Sequence, residues 1–323
     1  MPRFLSFDAP NSAYTHPTSI NPAGQITGDF RGANGIQHGF LRKCDGTLIT
    51  LDVPDSTDGG SVLHVSSTVA TSINQVGQIT GYYYYDSVPP SGLRWHGFLR
   101  KRNGTFVTFA AVTDFVLPTA INRVGKIIGS FDSGKPSPRS GFLRAPDGTI
   151  TAFDAPNATY TYPTDINPKG QVAGRHYSYA SSVAHGFLRE DDGSLIAFDV
   201  PGSTNTVPAA MNPKGQITGF YADQSSVYHG FLREKDGTIT SFDVPNSIGT
   251  MPAAINPGGR ITGFYMDQSH VYHGFLREKN GSFTTFDVPN ATNTYPTAMN
   301  LKGQITGWYS DAGGSVHGFV RDK

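Results

Sequence analysis

The chain repeats itself with a period near 44 residues. The stretch GFYADQSSVYHGFLREKDGTITSFDVPN at residues 219–246 returns almost unchanged as GFYMDQSHVYHGFLREKNGSFTTFDVPN at residues 263–290. Aligned on the HGF tripeptide, seven copies begin at His38, His96, Ser140, His185, His229, His273 and His317, spaced by 58, 44, 45, 44, 44 and 44 residues. A second anchor, the FD pair, recurs as Phe7-Asp8, Leu51-Asp52, Phe109-Ala110, Phe153-Asp154, Phe198-Asp199, Phe242-Asp243 and Phe286-Asp287. Self-similarity at such a period marks an array of identical supersecondary units.

Each unit divides into four strand-like pieces. In the fifth they run from about Pro208 to Met211, Gln216 to Tyr221, His229 to Glu234 and Thr238 to Asp243. Asn212-Pro213-Lys214-Gly215 joins the first two as a type I turn closed by a left-handed glycine. Asp236-Gly237 joins the last two and reads as a type I′ hairpin, which would set Phe231 opposite Phe242. Four short antiparallel strands per unit fit a propeller blade and are too many for one coil of a β-solenoid. The expected fold is therefore all-β, a seven-bladed β-propeller in a single domain over 1–323, with blades near 9–52, 53–110, 111–154, 155–199, 200–243, 244–287 and 288–323 plus 1–8. The last unit lacks a fourth strand and residues 2–8 supply one, so the N-terminal strand should close the ring and hide its edges.

The run Ile-Asn-Pro-x-Gly-Gln-Ile-x-Gly, then His-Gly-Phe-Leu-Arg, then Asp-Gly-Thr, resembles the HAF repeat of extracellular bacterial proteins, with His-Gly-Phe here for His-Ala-Phe. The resemblance spans essentially the whole chain. It implies an extracellular or periplasmic setting and no defined activity.

Twenty-five basic residues balance 25 acidic ones, which argues against a nucleic-acid partner. No stretch has the length of an apolar membrane span, and the opening MPRFLSFDAPNSAYTHPT lacks the apolar core of a secretion signal. One cysteine, Cys44, allows neither an intrachain disulfide nor a thiolate cluster, and no cofactor or metal motif stands out.

Residues present in every unit are explained by folding. The repeated histidines, arginines and FD aspartates are expected to be structural, the imidazoles and guanidiniums satisfying backbone carbonyls and the aspartates accepting loop N–H groups. Binding should instead belong to the two longer connections of each blade, which share one face. There Tyr221, Asp223, Gln224 and Tyr228, then Tyr265, Asp267, Gln268 and Tyr272, with Trp95 and Trp308, set aromatic rings beside polar groups, a combination suited to carbohydrate or to a protein partner. The competing reading of the tyrosines is blade packing.

Two units depart from the pattern. The second is 14 residues longer, with insertions holding His64, Tyr84 and Trp95 that should raise one rim of the loop face. The fourth carries Asp165 where others read PTA or PAA before Ile/Met-Asn, and Arg175-His176 where others read Gly-Phe-Tyr or similar, the best placement in the chain for acid-base chemistry, with a local ion pair as the alternative. His16 and His270 read as solvent-facing loop residues. The leading reading is a non-enzymatic binding propeller; the alternatives are an enzyme, lyase or hydrolase, at the channel mouth, and a structural or adhesion scaffold.

Overall fold

The structure, a computed structural model, describes residues 3–58, 61–63, 65–86, 93–110, 115–134, 139–178 and 181–322. The regular elements of these residues are strands, and no helix is long and apolar enough to cross a membrane. Seven four-stranded antiparallel sheets form a ring, so the chain is a seven-bladed β-propeller. In blade 5 the strands, from the ring axis outward, are Asn205–Met211, Ile217–Ala222, Tyr228–Arg233 and Ile239–Phe242. The seventh sheet is completed by Phe4–Phe7, which pairs antiparallel with Val316–Arg321.

The outer hairpin differs from its expected form. Glu234 N–H donates to Thr238 O at 2.8 Å and Gly237 N–H to Glu234 O at 3.0 Å, and of the loop residues only Gly237 has a positive φ, 96°. This is a type I turn followed by a left-handed glycine, with three loop residues; a type I′ turn needs two positive φ values. The extra residue moves the register by one, so Phe242 faces Gly230 and Phe231 faces Ser241. The glycine of HGF thus leaves a slot that the FD phenylalanine fills: a Cβ on Gly230 would stand 2.6 Å from the Phe242 ring.

From its slot the outer phenylalanine reaches the next blade. Phe198 packs edge-on against Phe231 at 6.1 to 6.4 Å like Phe7 against Phe40, and Arg233 lies 4.8 Å over the Phe198 ring. The same stacking holds Arg42 over Phe7 and Arg321 over Phe286. Six of the seven repeated arginines are therefore cation–π links between blades, and Arg233 also donates to the Glu234 carbonyl at 3.3 Å.

The repeated asparagine does more than open its turn. Asn212 Oδ1 accepts from Lys214 and Gln216 N–H at 3.0 and 3.1 Å, while its Nδ2 crosses to the Asn256 carbonyl of the next blade at 3.1 Å. Equivalent crossings run from Asn21 to Asn74, Asn74 to Asn122, Asn122 to Asn167 and Asn300 to Asn21. Each of these five buried amides satisfies both its own turn and its neighbour's, which ties adjoining blades together.

The inserted residues of the second unit extend its blade. Its inner strands lengthen to Val65–Ile73, Ile79–Asp86 and Leu93–Arg100, and Ser56–Asp58 pairs with Ser61–Leu63. His64 lies outside the described residues.

Candidate functional site

The site is set by the alternation of side chains on the second strand of each blade, just past the glycine that faces the innermost strand. Two residues past that glycine stand Phe30, Tyr221, Tyr265 and Tyr309, each stacked on a repeated histidine, His38, His229, His273 and His317, with ring centroids 5.0 to 5.2 Å apart. The histidine Nδ1 in turn meets the FD aspartate: His229 to Asp243 and His317 to Asp8 are both 2.9 Å. The histidines and aspartates thus satisfy one another, not backbone groups as the sequence suggested. The offset of 14 residues between the HGF histidine and the FD aspartate was the signal for this pairing.

In blades 5 to 7 a second carboxylate approaches Nε2. Asp223, Asp267 and Asp311 lie 3.5, 3.3 and 3.2 Å from His229, His273 and His317. Asp223 also caps its turn, Oδ1 accepting Ser225 and Val227 N–H at 2.8 and 2.9 Å. That connection is a tight turn with Ser226 in the left-handed region, φ 62°, and not the long loop expected of it. Gln224 and Gln268 are exposed at its tip and that of blade 6.

Burial alone would depress these three imidazoles, but the flanking carboxylates outweigh it and raise their pKa values. A histidine raised in the folded state stabilises fully below the unfolded value near 6.5 and loses that contribution as pH climbs through the folded value. The melting temperature is therefore expected to fall as pH climbs above about 6.5, and to fall less in a triple Asp223→Asn, Asp267→Asn, Asp311→Asn variant, which keeps the turn caps and removes the charges. A melting temperature that rises or stays level over that range in the parent chain would refute the linkage.

One residue past the glycine, side chains point the other way and meet the innermost strands at the end of the ring opposite the asparagine turns. Tyr272 and Phe264 contact Tyr295 at 5.1 and 5.2 Å, Tyr295 stacks on Trp308 at 3.9 Å, and Trp308 meets the His16 ring at 5.9 Å. Beyond blade 1, Tyr82 and Tyr84 hold Trp95 at 5.3 and 4.9 Å, and Trp95 meets Phe115 at 5.6 Å. Arg139 lies 4.1 Å over Phe115 and 5.9 Å from Tyr162. These contacts form an aromatic collar through six of the seven blades. In blade 5, Tyr228, 44% exposed, packs edge-on against Phe220.

Polar groups interrupt the collar at defined points. His16 is on the innermost strand Thr15–Ile20, not in a loop, and its Nδ1 lies 3.1 Å from Asp29, whose other oxygen accepts Gln37 Nε2 at 2.6 Å. His270 is exposed, as expected. Burial, with the Asp29 charge adding to it, pushes the Tyr82 phenol up to about 12, and burial raises Tyr295 to about 12 as well. Both hydroxyls are therefore hydrogen-bond donors at neutral pH. In blade 4, Tyr160, Tyr162, Arg175, Tyr177, Ser178, Ser181 and Ser182 line a cleft of about 570 Å³, with the Tyr160 and Tyr162 rings parallel to within 3°.

The three charged residues of the fourth unit do not converge. Asp165 faces Ala173 across the strands, and its two oxygens accept Ile166 and Met211 N–H, both at 2.8 Å. It thereby joins blade 4 to blade 5, and burial raises its carboxyl to about 6. Arg175 faces Tyr162 in the cleft. His176 points to the opposite side, 7% exposed, where it takes the place of a stacking ring against His185 at 5.4 Å with no hydrogen-bond partner on either nitrogen. Among the described residues no group of three His, Cys, Asp or Glu side chains is arranged to hold a metal ion.

The sequence matches no protein-family model and no curated protein. Solved structures share its fold. A streptogramin B lyase superposes over 99% of this chain and 98% of its own, with a TM-score of 0.63 at 12% identity. A catalytically inactive virginiamycin B lyase from Staphylococcus aureus, solved with quinupristin, superposes over 99% of both chains at 0.62 and 12%. The β-propeller domain of the trilobed protease from Pyrococcus furiosus, described as having an open velcro topology, superposes over 98% of this chain and 95% of its own at 0.68 and 9%. The N-terminal strand closes the present ring.

Proposed function

We propose that the protein is a non-enzymatic binding module whose ligand surface is the aromatic collar, and that its ligand is a carbohydrate. The collar itself supports this reading. Half-buried rings at Trp95, Trp308, Tyr272 and Tyr295 offer faces on which pyranose rings can stack, while phenol and serine groups between them can hold hydroxyls. The same composition on a contact surface suits a protein partner. Tyr221 and Tyr265 support the surface from the histidine layer, and Asp223 and Asp267 shape the turns beside it.

A screen of immobilised neutral and acidic glycans, followed by titration of the hits, tests the reading. Trp308→Ala and Trp95→Ala are expected to weaken a hit by about tenfold each, the scale of a lost aromatic contact in a binding site. A chain that binds no glycan, or whose binding ignores both substitutions, would rule out the collar as a carbohydrate surface.

A second reading, an enzyme, is favoured by one observation. The buried Asp29 orients the His16 imidazole at the collar, an arrangement able to support general acid-base work. Turnover of a bound glycan that disappears in His16→Gln would select it over simple binding.

A further inference from the structure

Within the collar, the junction of blades 3 and 4 differs in charge from every other. Arg175 stands one residue past the strand glycine, where the other blades have Asp29, Tyr82, Ser130, Phe220, Phe264 and Trp308. Arg139 stands just before the HGF position, where they have Gln37, Trp95, Ala184, Tyr228, Tyr272 and Val316. Neither charge is demanded by the fold, since six other blades form without it.

The two guanidiniums converge on one ring. Their central carbons lie 5.9 and 5.6 Å from the Tyr162 centroid. Among the described residues no carboxylate is within ion-pair distance of either. The cleft wall beside them carries no acidic side chain, and the Arg175 Nε is buried with no partner. Arg233 of the repeat also leaves Nε unpaired, but it closes on the Glu234 backbone carbonyl. Arg175 lines the cleft and Arg139 stands at its Tyr162 edge, so two like charges repel each other there with no counter-charge among the described residues. An anion with several acceptor oxygens would relieve both defects, because a planar guanidinium fork matches a carboxylate or sulfate in two-point contact.

We propose that this cleft is an anion subsite, taking the carboxylate or sulfate ester of an acidic carbohydrate, with Arg139 and Arg175 as the clamp. The proposal rests on the carbohydrate reading of the collar. The Tyr162 ring at the cleft wall offers the sugar ring a stacking face, its hydroxyl and the cleft serines take the sugar hydroxyls, and the arginines select its charge.

Calorimetric titration of the whole chain with trigalacturonate, its neutral methyl ester and a sulfated galactose disaccharide tests the proposal. At least one acidic probe is expected to bind about tenfold or more tighter than the ester. Arg175→Gln and Arg139→Gln should each erase that preference while leaving affinity for the ester in place. Arg175→Lys should recover only part of it, because an ammonium lacks the fork. Raising salt from about 0.05 to 0.3 M should weaken the acidic probe selectively. Which acidic probe binds identifies the anion as carboxylate or sulfate. Equal binding of acidic and neutral probes, or a preference that survives Arg139→Gln in a folded variant, overturns the anion subsite and leaves the carbohydrate reading standing. Failure of all three probes and of every neutral glycan overturns both.

Discussion

Removal of residues 1–8 is expected to lower the melting temperature by about 10 °C or more, because the deleted strand is the seam of the ring. Phe4–Phe7 contributes four register pairs with the strand Val316–Arg321, from Phe4 opposite Arg321 to Phe7 opposite Gly318. Phe7 fills the glycine slot at Gly318, packs on Phe40 at 6.1 Å and carries the Arg42 guanidinium at 4.9 Å. Phe4 packs against Phe286 and Phe319 at 6.0 and 6.4 Å, and Asp8 holds His317 at 2.9 Å. Phe4 and Phe7 are half-buried, so each contributes about 1–2 kcal/mol, and every strand hydrogen bond adds about 1 kcal/mol. Deletion would also bare the edge of Val316–Arg321 and invite pairing between copies. Differential scanning calorimetry, with light scattering on the same sample, measures both effects; a midpoint within about 2 °C of the full chain would show that the seam is not what holds the ring closed.

Gly219→Ala is expected to cost about 3 kcal/mol or more, among the largest effects of any single methyl group in the chain. The innermost strand has a bulge between Pro208 and Ala210 that drops its backbone onto the second strand. A Cβ on Gly219 would stand 2.1 Å from the Val207 carbonyl oxygen and 2.8 Å from the Pro208 Cα. Both neighbours are main-chain atoms of the strand that lines the axis, so neither can turn aside as a side chain could. Gly202→Ala provides the contrast. Nothing lies within 4 Å of its Cβ position, but its φ is +80°, so it should lose only about 1 kcal/mol through backbone strain. Denaturant unfolding of both variants separates the causes. Equal losses, or a neutral Gly219→Ala, would show that the strand yields and that close approach is not why this glycine recurs.

The repeat made much of the architecture legible. Seven copies of two anchors predicted seven blades, the turn glycines marked the hairpins, and the shared HGF-to-FD spacing placed the N-terminal strand beside the last blade. Two misjudged details concern phase. One extra residue in the outer turn moved Phe242 from Phe231 to Gly230. The alternation after the strand glycine showed that neighbouring residues face opposite ways, but not which way meets the mouth. Tyr221 and Tyr265 consequently belong to the histidine layer, while Tyr82, Phe264 and His16, which were not singled out for binding, form the collar with Tyr295, Trp95 and Trp308.

The sequence by itself determined the local and periodic features of this protein: strand number, turn positions, the order of blades and the strand that closes them. These follow from rules acting within one unit, and repetition states them seven times. Only the tertiary structure decided what meets across units: the asparagine amides that bind each blade to the next, the arginines laid on a neighbour's phenylalanine, and the dispersal of Asp165, Arg175 and His176 to three environments. It likewise brought Arg139 and Arg175, 36 positions apart in the chain, to the same tyrosine. Those meetings depend on the angle between packed sheets and on a one-residue bulge, quantities that only closure of the ring sets.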